Sequence, residues 1–107
     1  MKVINIENKD FVFKLNINQM ILWEEISGKS LTNLGDDGMS IKDMRTMFHS
    51  GLVGGGAKHD AERSGDLMTS YIEESGMDEF TALLEDEMVS LMGNQKMKAN
   101  LKKVTKK

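Results

Sequence analysis

The period of the hydrophobic pattern changes once along this chain, near Asn18, and that change restricts the fold more than any other feature of the sequence. Before it, Phe11, Phe13, Leu15 and Ile17 alternate with Val12, Lys14 and Asn16, the two-residue repeat of a strand with one covered face. Residues 2–6 (KVINI) are also rich in β-branched side chains, and Glu7-Asn8-Lys9-Asp10 between the two runs supplies turn formers. A β-hairpin over residues 2–17 follows. Two strands alone are marginal in water, so other elements must cover the apolar face.

Beyond Asn18 the spacing is helical. Met20, Ile21, Trp23 and Ile26, with Leu22 between them, predict a helix over 18–27 with a broad apolar face, ended by Gly28. Residues 31–39 (LTNLGDDGM) read as a loop in which Leu31 and Leu34 plug the core. Ser40 and Asp43 form an approximate capping box for a helix over 40–50, whose stripe is Ile41, Met44, Met47 and Phe48 and whose stop is Gly51. Asp60 caps a third helix, 60–75, with Glu62 in its first turn, a buried side of Ala61, Leu67 or Met68, Tyr71 and Ile72, and an end at Gly76. Its interior Gly65 costs about 1 kcal/mol against alanine, which is tolerable where a neighbour packs closely. Met77, Phe80, Leu84, Met88 and Leu91, widened by Leu83, predict the fourth helix, 77–92, closed by Gly93. No proline interrupts these elements. The expected fold class is α+β, mainly α: an N-terminal β-hairpin followed by about four short helices in a single small domain over residues 1–93.

Six lysines and no acid lie from Asn94 to the end, which leaves 8 basic against 17 acidic residues, a charge of −9, on residues 1–93. Residues 94–107 therefore read as a disordered, basic C-terminal tail, with docking onto an acidic partner as the alternative. Between Glu73 and Glu87 there are seven acids and no basic residue, which argues against a nucleic-acid surface on that face. The absence of cysteine excludes a disulfide framework and thiolate metal sites. The opening MKVINIENKD lacks the apolar run of a secretory signal, and no apolar run approaches the roughly 18 residues of a membrane span. The expected location is the cytoplasm, with no membrane partner.

The stretch GLVGGGAKHD (51–60) invites a test as a phosphate-binding loop. Such a loop leaves a strand, cradles phosphate with backbone N–H groups, and needs lysine and then a hydroxyl residue straight after its last glycine. With Gly51 and Gly56 in register, Ala57 stands where the lysine is required and Lys58 where the hydroxyl is required. The register fails at both positions. A near miss at Gly28-Lys29-Ser30 has Trp23 where the first glycine belongs. The three consecutive glycines 54–56 read instead as a mobile hinge between helices, ending one at Gly51 and leading to the Asp60 cap. His49, His59, Asp60 and Glu62 lack the spacing of a metal site, and the histidines read as exposed or helix-end residues. No catalytic constellation stands out, so no enzyme activity and no cofactor are expected.

Ten methionines are the one compositional excess with chemical meaning. Met20, Met44, Met47, Met68, Met77 and Met88 fall on the apolar stripes, where they serve as adaptable core filler or as a plastic binding surface. The two readings are compatible in a chain of 107 residues, which buries only roughly 65% of its unfolded surface.

Three stretches together resemble the tail assembly chaperones of long-tailed, siphovirus-type bacteriophages and prophages. The first is a strand passing into a short helix with a glutamate pair and a glycine stop (FKLNINQMILWEEISGKSL, 13–31); the second is a helix ending in a His-x-Gly-Leu turn (MRTMFHSGL, 44–52). The third is a helix closing on glycine with an acidic amphipathic helix after it (DLMTSYIEESGMDEF, 66–80). The order spans about residues 11–92. The glycine-rich stretch after Leu52 departs from the family pattern.

The resemblance implies a non-enzymatic protein of the bacterial host cytoplasm that coats the long helical tape measure protein, helps recruit tail tube protein, and is absent from the mature virion. It also implies a second, longer product made by ribosomal frameshifting, for which the lysine pairs 102–103 and 106–107 offer candidate slippery codons. A groove accepting client helices would draw on Trp23, Phe48, Leu52, Tyr71, Phe80, Leu84 and Met88, each of which the same spacing also fits to a core. The acidic face from Glu73 to Glu87 would keep such a holdase soluble. A structural adaptor packed into a tail or a helical homo-oligomer is the alternative class, and a helical regulator a remoter one.

Overall fold

A computed structural model describes residues 1–30 and 39–92 of the chain, the side chains of Leu91 and Met92 excepted. It contains a two-stranded antiparallel sheet followed by four helices: β1 Lys2–Ile6, β2 Lys9–Phe13, α1 Ile17–Ser27, α2 Ile41–Gly54, α3 Ala61–Ser75 and α4 Met77–Met92. The expected plugs Leu31 and Leu34, the Gly93 stop and the tail 94–107 lie outside the described residues.

The hairpin turns on two residues. Glu7 and Asn8 both take positive φ, 55° and 64°, the signature of the I′ turn whose twist matches that of the strands. Ile6 thereby pairs with Lys9 and Ile4 with Phe11, so Ile4, Ile6, Phe11 and Phe13 share one face while Val3 and Val12 share the other. Glu7 ties the tip to α3, accepting from Arg63 Nη2 at 3.3 Å and from Ser70 Oγ at 2.8 Å. Its carboxyl is held below the ordinary range by the Ser70 hydrogen bond first and Arg63 second. The strand is shorter than its alternation: β2 stops at Phe13, the Lys14 N–H donates to Gly51 O at 3.0 Å, and Asn16 caps α1. Ile17 therefore opens a helix and lies exposed. The helix cap overrode the alternating pattern.

α1 and α2 form an antiparallel pair. Gln19 of α1 packs on Gly54 at the end of α2, and the Trp23 indole Nε1 donates to Asp43 O, near the start of α2, at 2.9 Å. Asp43 joins three features at once. It completes the expected capping box, with its N–H donating to Ser40 Oγ and its carboxylate accepting from Ser40 N, and it pairs with Lys29 Nζ at 2.7 Å. Burial pushes its carboxyl up, but the Lys29 and Ser40 hydrogen bonds outweigh this and hold it below its ordinary 3.8. A carboxyl depressed on folding contributes stability above its unfolded value and loses it as pH falls through the folded one. Asp43→Ala should thus cost about 2 kcal/mol near neutrality, with the deficit against wild type vanishing in acid, as urea titrations below about pH 4 will check.

The expected buried faces need correction on α1, α2 and the start of α4, where Met77 is exposed. Ile21 and Ile26 of α1 and Ile41 of α2 are exposed rather than inward, because Met20 and Trp23 alone fill the α1 seam and Met44, Met47 and Phe48 the α2 one. Gly51 does not end α2; the helix continues to Gly54 with Gly55 as its cap. α3 matches expectation, from the Asp60 cap on Arg63 N (2.9 Å) to Gly76, and Gly65 gives room to the Arg45 side chain crossing it.

Candidate functional site

All seven residues proposed for a groove lie in the core. Trp23, Phe48, Leu52, Tyr71, Phe80, Leu84 and Met88 are each at most 7% exposed and belong to one cluster with Ile4, Ile6, Phe13, Leu15 and Leu67. Phe48 is its hub, with ring centroids 5.6 Å from Phe13, 6.2 Å from Tyr71 and 5.5 Å from Phe80. Burial, and Glu79 after it, raises the Tyr71 hydroxyl above its ordinary value. Helical spacing identifies an apolar face without saying whether the chain or a partner covers it. Here the hairpin and its neighbouring helices cover it. Of the stripe methionines, Met20, Met47, Met68 and Met88 are buried, Met44 packs at the margin, and Met77 is 39% exposed.

The apolar surface left over is a different set. Val3, Ile17, Ile21, Ile26 and Ile41 are exposed, and Ile17 and Ile21, four residues apart, lie along one side of α1. The acidic run is mostly solvated, with Glu73, Glu74, Asp78, Glu79, Glu85 and Asp86 exposed. Glu87 departs from it. It is buried, and its Oε1 accepts the Met1 ammonium at 3.0 Å.

The glycine-rich stretch is no phosphate cradle and no free hinge. Gly54 is the last residue of α2; the Gly55 N–H donates to Gly51 O and Leu52 O, the Gly56 N–H to Val53 O and the Ala57 N–H to Leu52 O. Those donors are already used, and a helix C-terminus presents negative dipole charge that repels phosphate. The end of β2 and the residue after it lie directly on the glycines: a side chain at Gly55 would meet the Val12 backbone and one at Gly54 the Lys14 backbone, while Gly56, alone of the three, has positive φ and open space around it. Three glycines were read as slack because composition does not reveal a strand laid across them.

The histidines also need correcting. His49 is buried rather than exposed, and its Nδ1 lies 2.8 Å from Ser64 Oγ, while His59 Nε2 lies 2.9 Å from the same oxygen. His59 thus joins His49 through Ser64. Sequence reasoning missed Ser64, although it falls on the buried side of α3 in step with Leu67, Met68 and Tyr71, where a hydroxyl must find a partner. Among the described residues, no group of three or more His, Asp or Glu is placed to hold a metal ion, and no helix is long and apolar enough to cross a membrane. Comparison with protein-family models, with curated proteins and with solved structures finds no match to this chain.

Proposed function

We propose that the chain is a non-enzymatic tail assembly chaperone of a long-tailed bacteriophage or prophage, acting in the host cytoplasm, that binds the tape measure protein and assists assembly of the tail tube. The family resemblance of residues 11–92 motivates the reading. The structural observation that supports it is a row of isoleucines left outside a core already closed without them. Ile17 and Ile21, with the i, i+4 spacing that meets one stripe of a client helix, are the contacts assigned to that partner in place of the buried seven. A long helical client with apolar stripes needs such a surface, and the exposed acids of α3 and α4 keep the loaded complex soluble.

Charging this row tests the assignment without touching the core. Ile17→Lys/Ile21→Lys should leave thermal unfolding nearly unchanged, since both positions are exposed, and should weaken capture of the tape measure protein from the same genome about tenfold or more. Wild-type chain that forms no complex while both proteins are soluble would sink the chaperone reading. The adaptor alternative uses the same isoleucines as a permanent interface. Mass spectrometry of purified particles separates the two, because an assembly factor is missing from them and an adaptor is present.

A further inference from the structure

We propose that His49, Ser64 and His59 form a proton-operated latch on the α2–α3 seam, closed while at least one of the two rings is neutral and released when both are charged. This rests on the geometry of the three side chains and not on the function proposed above. His49 lies in the later part of α2, Ser64 in the first turn of α3, and His59 in the connection between them. Two hydrogen bonds, at 2.8 and 2.9 Å, converge on one hydroxyl oxygen that is wholly buried.

Proton counting makes the latch conditional. A serine hydroxyl has one proton to donate and can accept on its oxygen. With both rings neutral, one ring N–H donates to Ser64 Oγ and the Ser64 proton goes to the bare nitrogen of the other ring. One added proton is accommodated, since the charged ring takes the donor role. A second leaves both rings donating, and the Ser64 proton then loses both of the partners that its hydroxyl has among the described residues, at a site buried from water.

Charge opposes the second proton as well. The ring centroids are 6.1 Å apart. Among the described residues the charged groups acting on His49 are His59 and Asp60 from the connection and Arg45 from α2 itself, which sets one anion, Asp60, against three cations once both rings are protonated. Burial first, then His59 and Arg45, hold His49 below its ordinary 6.5 despite the pull of Asp60. The sign follows: a histidine depressed on folding contributes stability above its unfolded value and loses it as pH falls. The Asp43 effect lies at lower pH and does not overlap this window.

The test combines ring titration by nitrogen-detected NMR with urea unfolding between about pH 8 and about pH 5. Wild type should show a His49 titration that depends on the state of the His59 ring, and should take up protons on unfolding as pH falls from about 7 towards about 5. His59→Gln, which keeps an acceptor for Ser64 but carries no charge, should measurably flatten that stability loss while leaving the share that burial of His49 causes. Independent single-step titration of the two rings in wild type overturns the proposal, and so does parallel loss of stability in wild type and His59→Gln. The ring titration needs no variant and decides the matter by itself if His59→Gln does not fold.

Discussion

Phe48→Ala is expected to destabilise the protein by about 4 kcal/mol, enough to unfold much of a marginally stable small domain. Phe48 is wholly buried at the point where Phe13 from β2, Tyr71 from α3 and Phe80 from α4 converge. Removing the ring deletes its transfer free energy, three aromatic contacts and the filling of a space that α2, α3 and the hairpin cannot all close at once. Urea unfolding followed by Trp23 fluorescence reports it, because Trp23 is buried against α2 by its bond to Asp43 O. The same variant separates two roles. A groove residue would lose client capture and keep stability; a core residue loses stability, and client capture falls only with the folded fraction. A variant as stable as wild type that no longer captures the tape measure protein would return Phe48 to the groove.

How much was legible in the sequence follows from what each signal encodes. The hairpin, the four helices and the caps at Ser40 and Asp60 were readable because local hydrogen-bond chemistry and hydrophobic period determine them. The end of β2 was not, since Phe11 to Ile17 alternates smoothly through a boundary that the Asn16 cap decides. Ile21, Ile26 and Ile41 were assigned inward because their spacing fits a helix face, whereas the width of the seam α1 makes with α2 depends on tertiary packing. The candidate groove failed for the same reason in reverse: its residues are apolar and periodic, and so is a core. Ser64 and the histidines were legible only as separate polar residues, because their meeting needs the fold of α2 against α3.

Gly55→Ala is expected to cost about 3 kcal/mol, whereas backbone reasoning alone predicts the opposite sign. At φ −87° and ψ 1°, Gly55 occupies a conformation open to any residue, so alanine there should help by reducing the freedom of the unfolded chain. Packing reverses this. A Cβ at Gly55 would lie 2.5 Å from the carbonyl carbon of Val12 and 2.9 Å from its Cβ, and backbone in a paired strand has nowhere to retreat. Relieving the clash means lifting β2 from the end of α2, which endangers the Lys14 N–H to Gly51 O bond and the seat of Phe13 on Gly51. Gly56→Ala is the control, with positive φ but no atom within 4 Å, and should cost roughly 1–2 kcal/mol through backbone strain alone. Thermal unfolding of the two variants ranks packing against flexibility. If Gly55→Ala is neutral or stabilising, the glycines are a connector and β2 does not rest on them; if it is the worse of the two, the run of glycine exists to let a strand pass over a helix end.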